Sequence, residues 1–209
     1  MTELATANLV SVGASLSHVH VPGHDEIHDN LGADEVEIGM GIHNEQGFKR
    51  MKVPDTSELI KTLLRQLLDE SDVDRAFLGP ITKTDEFVLM INNLGGVSPL
   101  ELGGVTTEIV NQLDYNYSIS PKRVYSGTFM TSLNGNGISI TLLRLADERI
   151  LQYLDTETET LGWPRSIHLQ SQHQGAQFTS GDTELTDMET PSTGYTKSGL
   201  MSKCVYNQQ

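Results

Sequence analysis

The residue in this sequence best suited to do chemistry is His43, in the run Glu35-Val36-Glu37-Ile38-Gly39-Met40-Gly41-Ile42-His43-Asn44-Glu45-Gln46-Gly47. A neutral imidazole nitrogen is a modest nucleophile and a proton carrier near neutral pH. Val36, Ile38, Met40 and Ile42 alternate with Glu37, Gly39 and Gly41, the period of a strand. Gly39 and Gly41 carry no Cβ, so a second backbone or a small ligand could approach that side closely. Asn44, Glu45 and Gly47 read as a polar turn. The expected arrangement is a strand that stops at an imidazole on the edge of a sheet. On spacing alone, one histidine at a strand end is more often a hydrogen-bonded surface residue than a catalytic one.

Two other clusters invite chemistry. His18, His20, His24 and His28 crowd one stretch, with His18 and His20 on one face of a short strand and His24 and His28 at i, i+4. No cysteine lies near them and no spacing demands zinc. They read as a solvated, histidine-rich loop, and no metal site is assigned. The second cluster is Asn92-Asn93-Leu94-Gly95-Gly96, directly after the apolar run Glu86-Phe87-Val88-Leu89-Met90-Ile91. Ligands in open α/β sheets favour the carboxyl ends of strands. The turn lacks the lysine and the spacing of a phosphate-binding loop, so a bare strand-to-helix turn is the better reading.

The elements that must position these residues follow from composition and pattern. The chain has 209 residues, enough for one ordinary domain with a sizeable core. Its 14 basic and 28 acidic residues give a net charge of −14, which disfavours nucleic acid and anionic membranes as partners. The single cysteine, Cys204, forbids an intrachain disulfide and suits a reducing cytoplasm. No apolar run approaches the roughly 20 residues of a membrane span, and no signal peptide is read at the start. Residues 5–16 are small and apolar, either a helix end or a buried strand. Lys52 to Asp55 reads as a linker. Asp55-Thr56-Ser57-Glu58 can cap a helix whose inner face is Leu59, Ile60, Leu63, Leu64, Leu67 and Leu68. Phe87 to Ile91 reads as a buried central strand. Ser98-Pro99 opens a second helix with Leu102, Val105, Ile109, Val110 and Leu113 inward. Arg123–Phe129 and Ile138–Leu143 read as strands joined by an Asn-Gly-rich connection of hairpin type, and 147–154 as a short helix or turn. Residues 166–209, rich in Ser, Thr, Gln and Gly, read as a disordered tail or linker.

Three separated stretches resemble one family. Gly39 to Gly47 closely resembles the glycine–histidine motif of the dihydroxyacetone (glycerone) kinases, in their substrate-binding, DhaK-type K domain. Gln46 stands where that family usually has proline. The strand–Asn92-Asn93-Leu94-Gly95-Gly96–helix unit and the run Gly127 to Leu143 match the same domain in the same order, and Gly162-Trp163-Pro164 matches its end. The resemblance covers roughly residues 7–165 and implies an α/β fold, a mixed β-sheet of about five or six strands with packed helices. It places residues 1–165 as the C-terminal half of the K domain.

The resemblance also implies a function. The histidine at the His43 position bonds the carbonyl of dihydroxyacetone, or of a related small ketose or aldose, as a hemiaminal, ready for phosphorylation by ATP in glycerol and dihydroxyacetone catabolism. ATP and Mg²⁺ belong in that family to a separate helical domain with clustered aspartates. No such cluster is present here, where Asp182 and Asp187 are too sparse. The acid–base aspartate and histidine belong to the first half of the K domain, which has no counterpart here. The implied protein is a cytoplasmic kinase fragment, inactive alone, that needs the missing kinase domains in cis or in trans and dimerises as the family does. The alternative is a non-catalytic binding or assembly module derived from the kinase domain.

Overall fold

The computed structural model describes residues 2–19, 23, 31–41, 43, 45–72 and 74–163. Helix α1 (Thr2–Ala7) leads into strand β1 (Leu9–Ser15), which resolves the apolar start into a short helix and a strand. Then come β2 (Glu35–Ile38), β3 (Lys49–Lys52), α2 (Thr56–Leu68), β4 (Phe87–Asn93), α3 (Pro99–Tyr117), β5 (Arg123–Gly127), β6 (Gly137–Arg144) and α4 (Glu148–Leu154). The strands form one mixed six-stranded sheet in the order β3-β2-β1-β6-β4-β5. All neighbours are antiparallel except β4 and β5.

Apolar periodicity builds one face of this sheet. The side chains of Val10, Val12, Val36, Ile38, Leu89, Ile91, Ile140 and Leu142 meet the inner faces of α2 and α3 in one core cluster. The Asp55 side chain caps α2 by accepting the Glu58 N–H, and Ser98 with Glu101 forms a reciprocal capping box on α3. Alternation sends Val88, Tyr125 and Leu143 to the opposite face, where they pack with Ile150 of α4 and with Trp163 and Phe129.

Four expectations need correcting. First, β2 ends at Ile38, because Gly39 turns the chain with φ +79°, so His43 lies on the β2–β3 connection and not at a strand end. Second, Lys52 belongs to β3 and not to a linker. Third, β5 and β6 do not form a hairpin. β5 follows α3 and lies parallel to β4 at the sheet edge, while β6 enters between β1 and β4. The burial patterns explain the choice: β6 is covered on both faces and suits the centre, whereas β5 is half exposed and suits an edge. Fourth, His18 is buried rather than solvated. His20, Val21, His24 and His28 lie outside the described residues, as do residues 164–209.

Candidate functional site

The β2–β3 connection is a loop folded on itself, and its glycines explain how. A Cβ on Gly41 would meet the Glu45 carboxylate at 2.1 Å, and one on Gly47 would meet the Ile38 carbonyl oxygen at 2.4 Å. The close approach that the glycines permit is therefore made by the loop's own backbone and by Glu45. The Gly41 N–H donates to the Glu45 carbonyl at 3.0 Å, and the Phe48 N–H donates to the Ile38 carbonyl at 3.0 Å. These bonds close the loop at its apex and at its base.

At the apex stands His43, with a side chain 79 % exposed beside Glu45 at 59 %. Glu45 holds it twice. The His43 backbone N–H donates to Oε2 at 2.9 Å, and Nδ1 lies 2.9 Å from Oε1. Its own backbone N–H, then the His43 backbone N–H and imidazole, hold the Glu45 carboxyl below the ordinary carboxylate range. An ionised carboxylate only accepts hydrogen bonds, so the nitrogen facing it carries the proton. In its neutral form, His43 presents Nδ1–H to Glu45 and its lone pair on Nε2. Glu45 read in the sequence merely as a turn residue. Its place two positions after the histidine was the available signal.

At the base, the Glu37 side chain is 0 % exposed. It accepts the Gly47 N–H on Oε1, and Arg50 Nε at 2.9 Å on Oε2. His18 Nε2 lies 3.2 Å from the same Oε2. Burial pushes the carboxyl up, but the Gly47 N–H, His18 and Arg50 together outweigh it and leave it below the ordinary value. The alternation of β2 gave no sign of this burial.

Beside the loop lies a groove of about 700 Å³ along β1, walled by Ser11, Gly13, Gly39, Met40, Gly41 and Phe48 among others. His43 does not line it. The Arg75 guanidinium sits 4.6 Å over the Phe48 ring, a cation–π contact at this rim.

The glycine turn after β4 is structural. The Asn93 side-chain Oδ1 accepts the N–H groups of Gly95 and Val97, and its Nδ2 donates to the Val97 carbonyl. The Gly96 N–H donates to Gly135. The Asn92 side-chain Oδ1 accepts the N–H groups of Phe129 and Met130, which pins the connection toward β6. No N–H cradle is left open for phosphate here. Among the described residues no group of three or more His, Cys, Asp or Glu is placed to hold a metal ion. Nor is any helix among them long and apolar enough to cross a membrane.

Comparison with known proteins agrees with this architecture. The Dak1 domain model matches residues 1–162. The chain is 46% identical over 180 residues to a dihydroxyacetone kinase of Komagataella pastoris, covering 79% of this chain and 29% of that protein. It is 39% identical over 154 residues to the triokinase/FMN cyclase of Homo sapiens, covering 74% and 26%. The chain thus spans under a third of the length of these relatives. The solved dihydroxyacetone kinase of C. freundii, in complex with AMP-PNP and Mg²⁺, superposes with a TM-score of 0.68 at 25% identity, covering 92% of this chain and 33% of that one. A dihydroxyacetone kinase operon co-activator, Dha-DhaQ, superposes with a TM-score of 0.67 at 27% identity, covering 78% and 49%. By its sequence and its fold, the chain belongs to the Dak1 domain family.

Proposed function

We propose that this chain is the carbonyl-binding half of a dihydroxyacetone kinase substrate domain, and that His43 takes dihydroxyacetone, or a related small ketose or aldose, as a hemiaminal. The observation that carries the reading is the 2.9 Å contact between His43 Nδ1 and Glu45, which leaves Nε2 free as the nucleophile. In the addition, the Nε2 lone pair forms a bond to the carbonyl carbon and the C=O π pair moves to oxygen, which takes a proton from water. The ring becomes cationic, the ionised Glu45 carboxylate opposite Nδ1 stabilises that charge, and the Nδ1 proton passes to the hydroxide left by the water, which restores the water and a neutral adduct. Nothing leaves the substrate, so the adduct carries its whole mass. Glycerol has no carbonyl and is rejected. A tether of this kind is worth several kcal/mol in orientation, roughly 7 or more in the best intramolecular cases.

Phosphoryl transfer needs an acid–base pair, a nucleotide and its metal. We assign these to domains that the longer kinase relatives carry and that meet this chain in cis or in trans. Alone, the chain binds its substrate and does not turn it over. The test is dihydroxyacetone labelled with ¹³C at the carbonyl. The ketone signal is expected to give way to a tetrahedral carbon on mixing with the protein, and not with His43→Ala. A ketone signal unchanged by folded protein would contradict the reading. That outcome would favour the second one, a non-catalytic module, which the similarity to the operon co-activator supports.

A further inference from the structure

We infer that Glu37 is the positioning residue for His43: it sets the whole β2–β3 loop in place through the Gly47 N–H and the Arg50 guanidinium. The inference rests on the reading of His43 as the carbonyl-binding residue. A carboxylate with no exposed surface must be paired, since an unpaired buried charge is costly. Three donors from three parts of the chain converge on it. Arg50 lies directly across the ladder, paired with Glu37 in the β2–β3 register, and donates from Nε at 2.9 Å. His18 comes from the segment after β1, at 3.2 Å. The Gly47 N–H comes from the far end of the loop itself.

An ion pair with Arg50 alone would secure the two strands. The bond to Gly47 is what reaches the loop. It ties the returning arm to the outgoing arm, beside the 3.0 Å bond from the Phe48 N–H to the Ile38 carbonyl. A Cβ on Gly47 would lie 2.8 Å from Glu37 Cγ, so that glycine rests directly on the buried side chain. Two residues earlier along the loop, Glu45 grips His43. One line of bonds therefore runs from a buried anchor to an exposed imidazole. With the anchor removed, the grip of Glu45 on His43 persists, but the pair loses its fixed place relative to the sheet.

The experiment uses the full chain and three variants. Glu37→Gln keeps an oxygen for Gly47 but loses the charge that Arg50 meets. Glu37→Leu removes both. Gly47→Ala keeps the Glu37 carboxylate and its Arg50 partner, but its Cβ crowds the Ile38 carbonyl and Glu37 Cγ and so lifts the returning arm of the loop off Glu37. Amide exchange of Gly41, Gly47 and Phe48 is expected to quicken about tenfold or more in Glu37→Leu and Gly47→Ala, and less in Glu37→Gln, while Ile140 and Leu142 in the sheet centre keep their rates. The His43 imidazole ¹⁵N resonances are expected to shift in the same order. The dihydroxyacetone adduct is expected to weaken about tenfold, as loss of a supporting hydrogen bond does around other ligating histidines. Loop amides and imidazole signals unchanged in Gly47→Ala and Glu37→Gln would overturn the inference. So would a loss of protection spread evenly over loop and sheet, which would make Glu37 a residue of global stability only. If the parent chain forms no adduct, the reading of His43 fails, and the exchange and imidazole readouts, which need no substrate, still decide the role of Glu37.

Discussion

Glu45 and Glu37 divide the work of holding one histidine, the first at the loop's apex and the second at its base. Glu45 is exposed, so its contribution lies in orienting the ring rather than in stability. Glu45→Ala is expected to weaken the carbonyl adduct about tenfold with an unchanged melting temperature, measured by substrate titration and thermal denaturation. Glu37 acts on stability as well. Its carboxyl is held below the ordinary value of 4.5, so its contribution is present above that pH and is lost as pH falls through the lower folded-state value. The melting temperature of the parent chain is therefore expected to fall more steeply than that of Glu37→Gln as pH drops below about 5. Parallel slopes in thermal melts across that range would remove the buried pairing from the account. His43 stands out in the sequence because its glycines and the resemblance point to it. Glu37 does not, because alternation separates two faces of a strand without saying that both are covered. Here His18 and Arg50 cover the face that the pattern leaves polar.

The helices were the elements most readable from sequence. The α2 stripe ending in Leu67 and Leu68 and the capping box of α3 each state one face and one start, and the structure uses both. Leu63 is fully buried under the sheet, and Leu63→Ala is expected to cost about 3 kcal/mol in denaturant unfolding. Strand order was harder. An Asn-Gly-rich connection marks a reversal, but not which strands will pair across it. That depends on burial of both faces of β6, which only the assembled sheet supplies. The glycine turn after β4 is similar. Gly95 sits at φ +130°, and a Cβ there would lie 2.3 Å from the Leu133 carbonyl oxygen. Gly95→Ala is expected to destabilise the fold by about 2 kcal/mol, by strain and not by loss of a ligand. Adduct formation at equal folded fraction should be unchanged.

At the scale of the molecule, several large apolar side chains remain exposed around the groove and the β5–β6 connection. Phe77 is 73% exposed, and Phe48, Leu9, Met130 and Leu133 are exposed too. The relatives are more than three times longer than the stretch they share with this chain. Such a surface predicts self-association at micromolar concentration, seen as early elution in size-exclusion chromatography, and a sharp monomer peak would count against it. The fold was readable because its apolar periods are strong. The groove was not, because its walls come from β1, the loop and the segment after α2, which meet only in space. Hemiaminal formation at His43 is read directly from the mass of the intact, folded protein after incubation with dihydroxyacetone, beside His43→Ala. One added substrate mass is expected on the parent chain and none on the variant. Equal masses, or an adduct that survives His43→Ala, would contradict the assignment of His43.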